Sequence, residues 1–96
     1  MRLNLSSLLA VAALLAGTAC VSGAKLRAEG DVIKSDVERA RKSGAYRCAP
    51  RELATAEANL DFAWGELAEG NSIRARDHIN TASDAIKKAL VLSRDC

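Results

Sequence analysis

The sequence predicts an all-α fold: a disulfide-closed antiparallel helical hairpin with a preceding helix, forming a small three-helix bundle. Three observations carry that expectation. Apolar residues recur at alternating steps of three and four through residues 53–67, and at a helical spacing again through residues 75–89, which keeps one face of each helix against a partner. A single break, Glu69-Gly70-Asn71-Ser72, divides the two runs, and a cysteine stands at either end, Cys48 and Cys96. The composition is Ala- and Leu-rich, with 27% charged residues and only Tyr46, Phe62 and Trp64 as aromatics. Such a core is thin, and domains of this size often need a further constraint.

The first residues read as an address. Met1-Arg2-Leu3-Asn4 carries one positive charge and no acid, and residues 5–16 are apolar apart from Ser6 and Ser7. That run is too short to span a bilayer and suits the apolar core of a signal peptide. Leu14-Leu15-Ala16-Gly17-Thr18-Ala19-Cys20 resembles the lipobox of bacterial lipoproteins, whose cysteine becomes the acylated first residue; Gly17 stands where that family usually has Leu. The resemblance implies a signal peptide over residues 1–19, lipidation at Cys20 and a membrane anchor through it. Val21 after the cysteine, in place of Asp, favours the outer membrane on the same resemblance. Ordinary cleavage after Ala19, or after Ser22-Gly23-Ala24, is the alternative, and both alternatives predict export. Cysteine arithmetic bears on the choice. Three cysteines leave one odd thiol in an oxidising compartment, and acylation of Cys20 removes it, leaving Cys48 and Cys96 as a pair.

Residues 20–30 are expected to form a lipid-anchored tether and residues 31–96 the helical domain. Gly30-Asp31 offers a break and a cap. From there Ile33, Val37, Ala40 and Gly44 fall on one helical face, Leu26 continues that stripe backwards, which leaves open a helix start before Gly30, and Ser43-Gly44 supplies a stop. Pro50 at a first-turn position followed by Glu52 starts the second helix, because Pro lacks only a donor that is unpaired there and the acid complements the dipole. Its seam is Leu53, Ala56, Leu60, Ala63 and Leu67, with Phe62 and Trp64 flanking. Gly70 ends it and Asn71 or Ser72 caps the next helix, whose stripe is Ala75, Ile79, Ala82, Ile86 and Ala89. Helices of roughly twenty and twenty-three residues span about 30 and 34 Å, so an antiparallel turn at Gly70-Asn71 returns Cys96 to the side of Cys48. A metal bound by these two cysteines lacks further ligands at zinc spacing.

Residues 43–60, reading Ser-Gly-Ala-Tyr-Arg-Cys-Ala-Pro-Arg-Glu-Leu-Ala-Thr-Ala-Glu-Ala-Asn-Leu, resemble a family of small exported bacterial helical domains. Some members are stand-alone lipoproteins and some precede an OmpA-like peptidoglycan-binding domain. The likeness extends over roughly residues 32–90, taking in the Gly70-Asn71 turn, Arg74-Ala75-Arg76 and Ala82. It implies a helical fold and no catalytic residues, since that family has none assigned. The hairpin also resembles one tetratricopeptide-like unit, which buries its faces only against neighbours; the first helix or a partner protein would have to serve.

Sites of chemistry are absent from the pattern. His78 is the sole histidine, and its neighbour Asp77 does not share its helical face. Ser72, Ser83 and Ser93 lack a Gly-rich elbow, and no phosphate-binding or dinucleotide fingerprint occurs. Glu57 and Asp61, one turn apart, suit a solvated face. Fourteen basic and twelve acidic residues, interspersed, do not make the stripe that nucleic acid requires. Asp95-Cys96 provides no lysine for attachment to peptidoglycan, and no cofactor or metal is expected. The expectation is a non-catalytic envelope lipoprotein, an accessory or scaffolding adaptor meeting an envelope protein through a rim around Trp64 or Tyr46. A self-associating structural homodimer that shares its seams is the alternative, and a soluble periplasmic binding protein is a remoter one.

Overall fold

The computed structural model describes residues 22–96, with Asn4 alone before them, so the expected signal peptide and Cys20 lie outside the described residues. Four helices follow in order: α1 (Gly23–Lys42), α2 (Ala45–Cys48), α3 (Pro50–Ala68) and α4 (Ser72–Leu92). Helices α3 and α4 form the closest pair, and α1 packs against both. The described chain is a small all-α bundle with the Cys48–Cys96 disulfide at one end.

The α3–α4 hairpin is built by local chemistry that the sequence states directly. Pro50 opens α3 with Glu52 in its first turn. At its end Gly70 takes φ +80°, its N–H donates to the Leu67 carbonyl at 3.1 Å, and the Asn71 N–H donates to that of Glu66 at 2.8 Å. This pair of bonds is a Schellman motif, with glycine at the left-handed position where a Cβ is disfavoured. Asn71 then caps α4, its side-chain oxygen accepting from the Arg74 N–H at 3.1 Å.

All ten seam residues are buried. Counted outward from the turn, each large residue has a small counterpart: Leu67 with Ala75, Ile79 with Ala63, Leu60 with Ala82, Ile86 with Ala56, Leu53 with Ala89. Large-opposite-small pairing lets two helices approach closely without voids. It also leaves little apolar area per helix, so a third element is needed to dry the seam. Helix α1 supplies it through Leu26, Gly30, Ile33, Val37 and Ala40, all buried.

The start of α1 differs from expectation. The tether foreseen over residues 20–30 is helical from Gly23, and no break occurs at Gly30-Asp31. Two causes act. Ser22 caps the helix, its hydroxyl accepting from the Lys25 N–H at 3.3 Å. Gly30 is a contact point and not a hinge: a Cβ there would stand 2.5 Å from Trp64 Cη2 and 2.9 Å from Cζ2. The indole lies on bare backbone, and that packing outweighs the roughly 1 kcal/mol by which glycine disfavours a helix interior. At the other end, Ser43 is the C-cap and Gly44 follows at φ +91°.

A methyl at Gly23 would stand 3.7 Å from Ser72 Oγ and 3.9 Å from Leu67 Cδ2, so α1 begins beside the Gly70 turn and runs antiparallel to α3. The one-turn helix α2, unforeseen as a separate element, follows Gly44, with Ala45 buried and Ala49 buried behind it. It carries Cys48 to Cys96, with Cα atoms 6.2 Å apart and 48 residues between them in sequence.

Two outcomes test this packing. Replacing both Cys48 and Cys96 with Ser should lower unfolding free energy by up to about 4 kcal/mol on the chain-entropy estimate, read from denaturant melts and matched by wild type under reductant. Gly30→Ala should destabilise by roughly 1 kcal/mol or more and shift the emission of the sole tryptophan to the red. In a Trp64→Leu background the same change should stabilise, because only the helix-propensity gain then remains.

Candidate functional site

The face shared by α1 and α3 carries both aromatics that the sequence nominates. Ala45 and Ala49 are one helical turn apart and fully covered, which turns Tyr46 outward, 79% exposed. Tyr46 forms one wall of a groove of about 380 Å³ with Pro50, Leu53 and Ala54, and Arg41 and Glu57 close it on the side of α1 and α3. A second groove of about 400 Å³ continues past the same two charges to Val37, Leu60 and Trp64. Tyr46 and Trp64 therefore flank one ion pair along a single face.

That ion pair is the main polar link between α1 and α3. Arg41 Nη2 lies 2.8 Å from Glu57 Oε2 and Arg41 Nε donates to Glu57 Oε1 at 3.1 Å. This is a two-point fork, the stronger geometry for a guanidinium and a carboxylate. The hydrogen bond to Glu57 and then its charge raise the Arg41 pKa further above its ordinary range. A raised basic pKa contributes stability below the unfolded value and loses it only as pH rises through the folded one. The contribution from Arg41 is therefore present at every pH short of strong alkali. Glu57, read from sequence as one of two solvated carboxylates, is half-buried in this bridge, while Asp61 remains exposed.

The two aromatics differ in role. Trp64 is half-buried and packs on the core cluster, with its ring over Gly30. Tyr46 touches the groove alone. His78 is not paired with Asp77, whose carboxylate lies 3.7 Å from Arg76. Instead His78 Nδ1 is 3.0 Å from Asn59 Oδ1. The Asn59 amide nitrogen donates to the Thr55 carbonyl at 2.9 Å, so its oxygen faces the imidazole and Nδ1 is the donor. The His78 ring also lies 5.3 Å from that of Phe62, tilted by 50°. Of this cross-helix set the sequence singles out only Phe62 as flanking the seam. Asp61, Phe62, Glu66, Glu69 and His78 line a third groove near the Gly70 turn, and Glu66 Oε2 is buried there without a hydrogen-bond partner.

Among the described residues, no group of three or more His, Cys, Asp or Glu side chains is placed to hold a metal ion. No described helix is long and apolar enough to cross a membrane. Comparison with known proteins gives no match: no family model, curated protein or solved structure matches the chain.

The contrast between the aromatics predicts different costs. Tyr46→Ser should change unfolding free energy by less than about 0.5 kcal/mol, as at other exposed positions. Trp64→Ala should cost roughly 2 kcal/mol or more, from lost burial and the cavity over Gly30. Equilibrium urea melts of the two variants, made side by side, check both.

Proposed function

We propose that the protein is a non-catalytic cell-envelope lipoprotein, anchored through acylated Cys20 in the outer membrane and facing the periplasm. It acts as an accessory or scaffolding adaptor that meets an envelope protein through Tyr46. The observation that carries this reading is an aromatic left 79% exposed beside an apolar groove, in a bundle whose own seam is already covered by α1. Exposed aromatics at the edge of a pocket commonly anchor protein contacts.

Several features support export, with the chain starting at Cys20 in preference to a cleavage after Ala24. Ser22 is the α1 cap, and cleavage before Cys20 keeps it, whereas cleavage after Ala24 removes both the cap and the start of the helix. The disulfide supports an oxidising compartment. The likeness of residues 32–90 to exported helical domains points the same way. With Cys20 two residues before Ser22, an anchor would lie next to the Gly70 turn. The disulfide end, about 30 Å along α1, would then be the membrane-distal tip.

The self-associating alternative relied on an uncovered hairpin seam. The burial of Leu26, Ile33, Val37 and Ala40 against that hairpin favours the adaptor instead. Light scattering of the full chain in mild detergent should report one copy per micelle.

Metabolic labelling with a lipid precursor should mark the wild type and leave Cys20→Ala unmarked; an unlabelled wild type would show that the lipoprotein reading is wrong. Photo-cross-linking from position 46 in intact cells should give a discrete adduct that the same probe at exposed Asn80, on another face, does not give.

A further inference from the structure

We propose that the disulfide-bonded end docks an acidic segment of a partner protein, one carrying an apolar side chain between carboxylates. The inference rests on the adaptor reading and names the chemistry of its partner.

The fold gathers cations at its disulfide-bonded end. Near the Gly70 turn the third groove is acidic, with Asp61, Glu66 and Glu69 on its walls. At the opposite end Lys42, Arg47, Arg51 and Arg94 are all exposed. None of the four belongs to an ion pair among the described residues, the pairs being Arg39–Asp36, Arg41–Glu57 and Arg76–Asp77. Exposed Glu38, half-buried Glu52 and exposed Asp95 are the acids nearest to them in sequence. Two of these cations neighbour groove residues in sequence, Arg47 following Tyr46 and Arg51 following Pro50, while the charged groups on the groove wall itself are the paired Arg41 and Glu57.

An apolar slot at an end of the bundle that carries four unpaired cations fits one kind of occupant better than others. Guanidinium forks bind carboxylates at two points, and the slot between Tyr46, Pro50 and Leu53 takes an apolar side chain. A nucleic acid or phosphate-bearing surface is matched by an extended basic track, whereas these cations stand together at one end of the bundle beside a short groove. A second copy has suitable chemistry at its Phe62 groove, where Phe62 is 57% exposed among acids. With Cys20 anchored beside the Gly70 turn, however, that end faces the membrane, and copies in one membrane point their basic ends the same way.

The test uses the full chain purified in mild detergent with its disulfide intact. The probes are short fluorescein-labelled peptides of Asp and Glu with Leu, Phe or Trp at the centre, beside counterparts in which Asn and Gln replace the acids. At least one acidic peptide should bind about tenfold or more tightly than its neutral counterpart. The Arg47→Glu/Arg51→Glu variant should lose that advantage, and Tyr46→Ser should weaken binding with the helical circular dichroism unchanged. The proposal is overturned if no acidic peptide outperforms its neutral counterpart, or if the double charge reversal leaves binding intact. It is also overturned by tighter association with phosphatidylglycerol vesicles that survives Tyr46→Ser, or by peptides that act only by dissociating a dimer. Cross-linking in cells separates the two levels. A partner captured through another face keeps the adaptor reading and removes the acidic-segment site; peptide binding with no envelope partner does the reverse.

Discussion

The bundle depends on α1 lying against the α3–α4 hairpin, and the tightest point of that docking is the Trp64 indole on the backbone of Gly30. The hairpin seam pairs each Leu or Ile with an Ala, which favours close approach but buries little apolar area from any one helix. Left as a pair, α3 and α4 would expose the side of that seam that faces α1. Helix α1 covers it with Leu26, Ile33, Val37 and Ala40, and Gly30 is where the largest side chain on α3 meets it. The Arg41–Glu57 fork then sets the position of α1 near its other end.

The disulfide acts on the same weakness from the opposite direction. A thin core gains little from packing alone, so constraining the unfolded chain matters more than it would in a large domain. Its placement also shapes the surface. Gly44 turns the chain out of α1 at φ +91°, and a Cβ there would stand 3.0 Å from Cys96 Sγ. The short α2 that follows buries Ala45 and thereby exposes Tyr46. The clasp that closes the bundle is thus also what presents its aromatic tip.

Much of this was legible in the sequence because it is local or periodic. Pro50, Gly70 and Asn71 specify helix ends by backbone chemistry, and the spacing of Leu53 through Ala89 specifies two buried faces; the helix lengths then place Cys48 beside Cys96. Gly30 was misread as a break because glycine has two meanings, a backbone that turns and a surface that admits a neighbour. Only the position of Trp64, more than thirty residues later, distinguishes them. The Arg41–Glu57 fork and the Asn59–His78 contact were hidden for the same reason, since each joins residues on different helices. The cation cluster at the disulfide end was invisible in a chain that alternates acids and bases, and it appears only when the antiparallel course brings residues 42–51 and 94 to one end.

The account turns on α1 being an integral part of the bundle and not a detachable arm. Native-state hydrogen exchange of the full chain tests this most directly. Amides of Ile33 to Ala40 should exchange with the same opening free energy as those of Leu60 and Ile86, as one cooperative unit. If residues 33–40 exchange early while α3 and α4 stay protected, the hairpin stands alone and its seam is open to a partner, which contradicts the account.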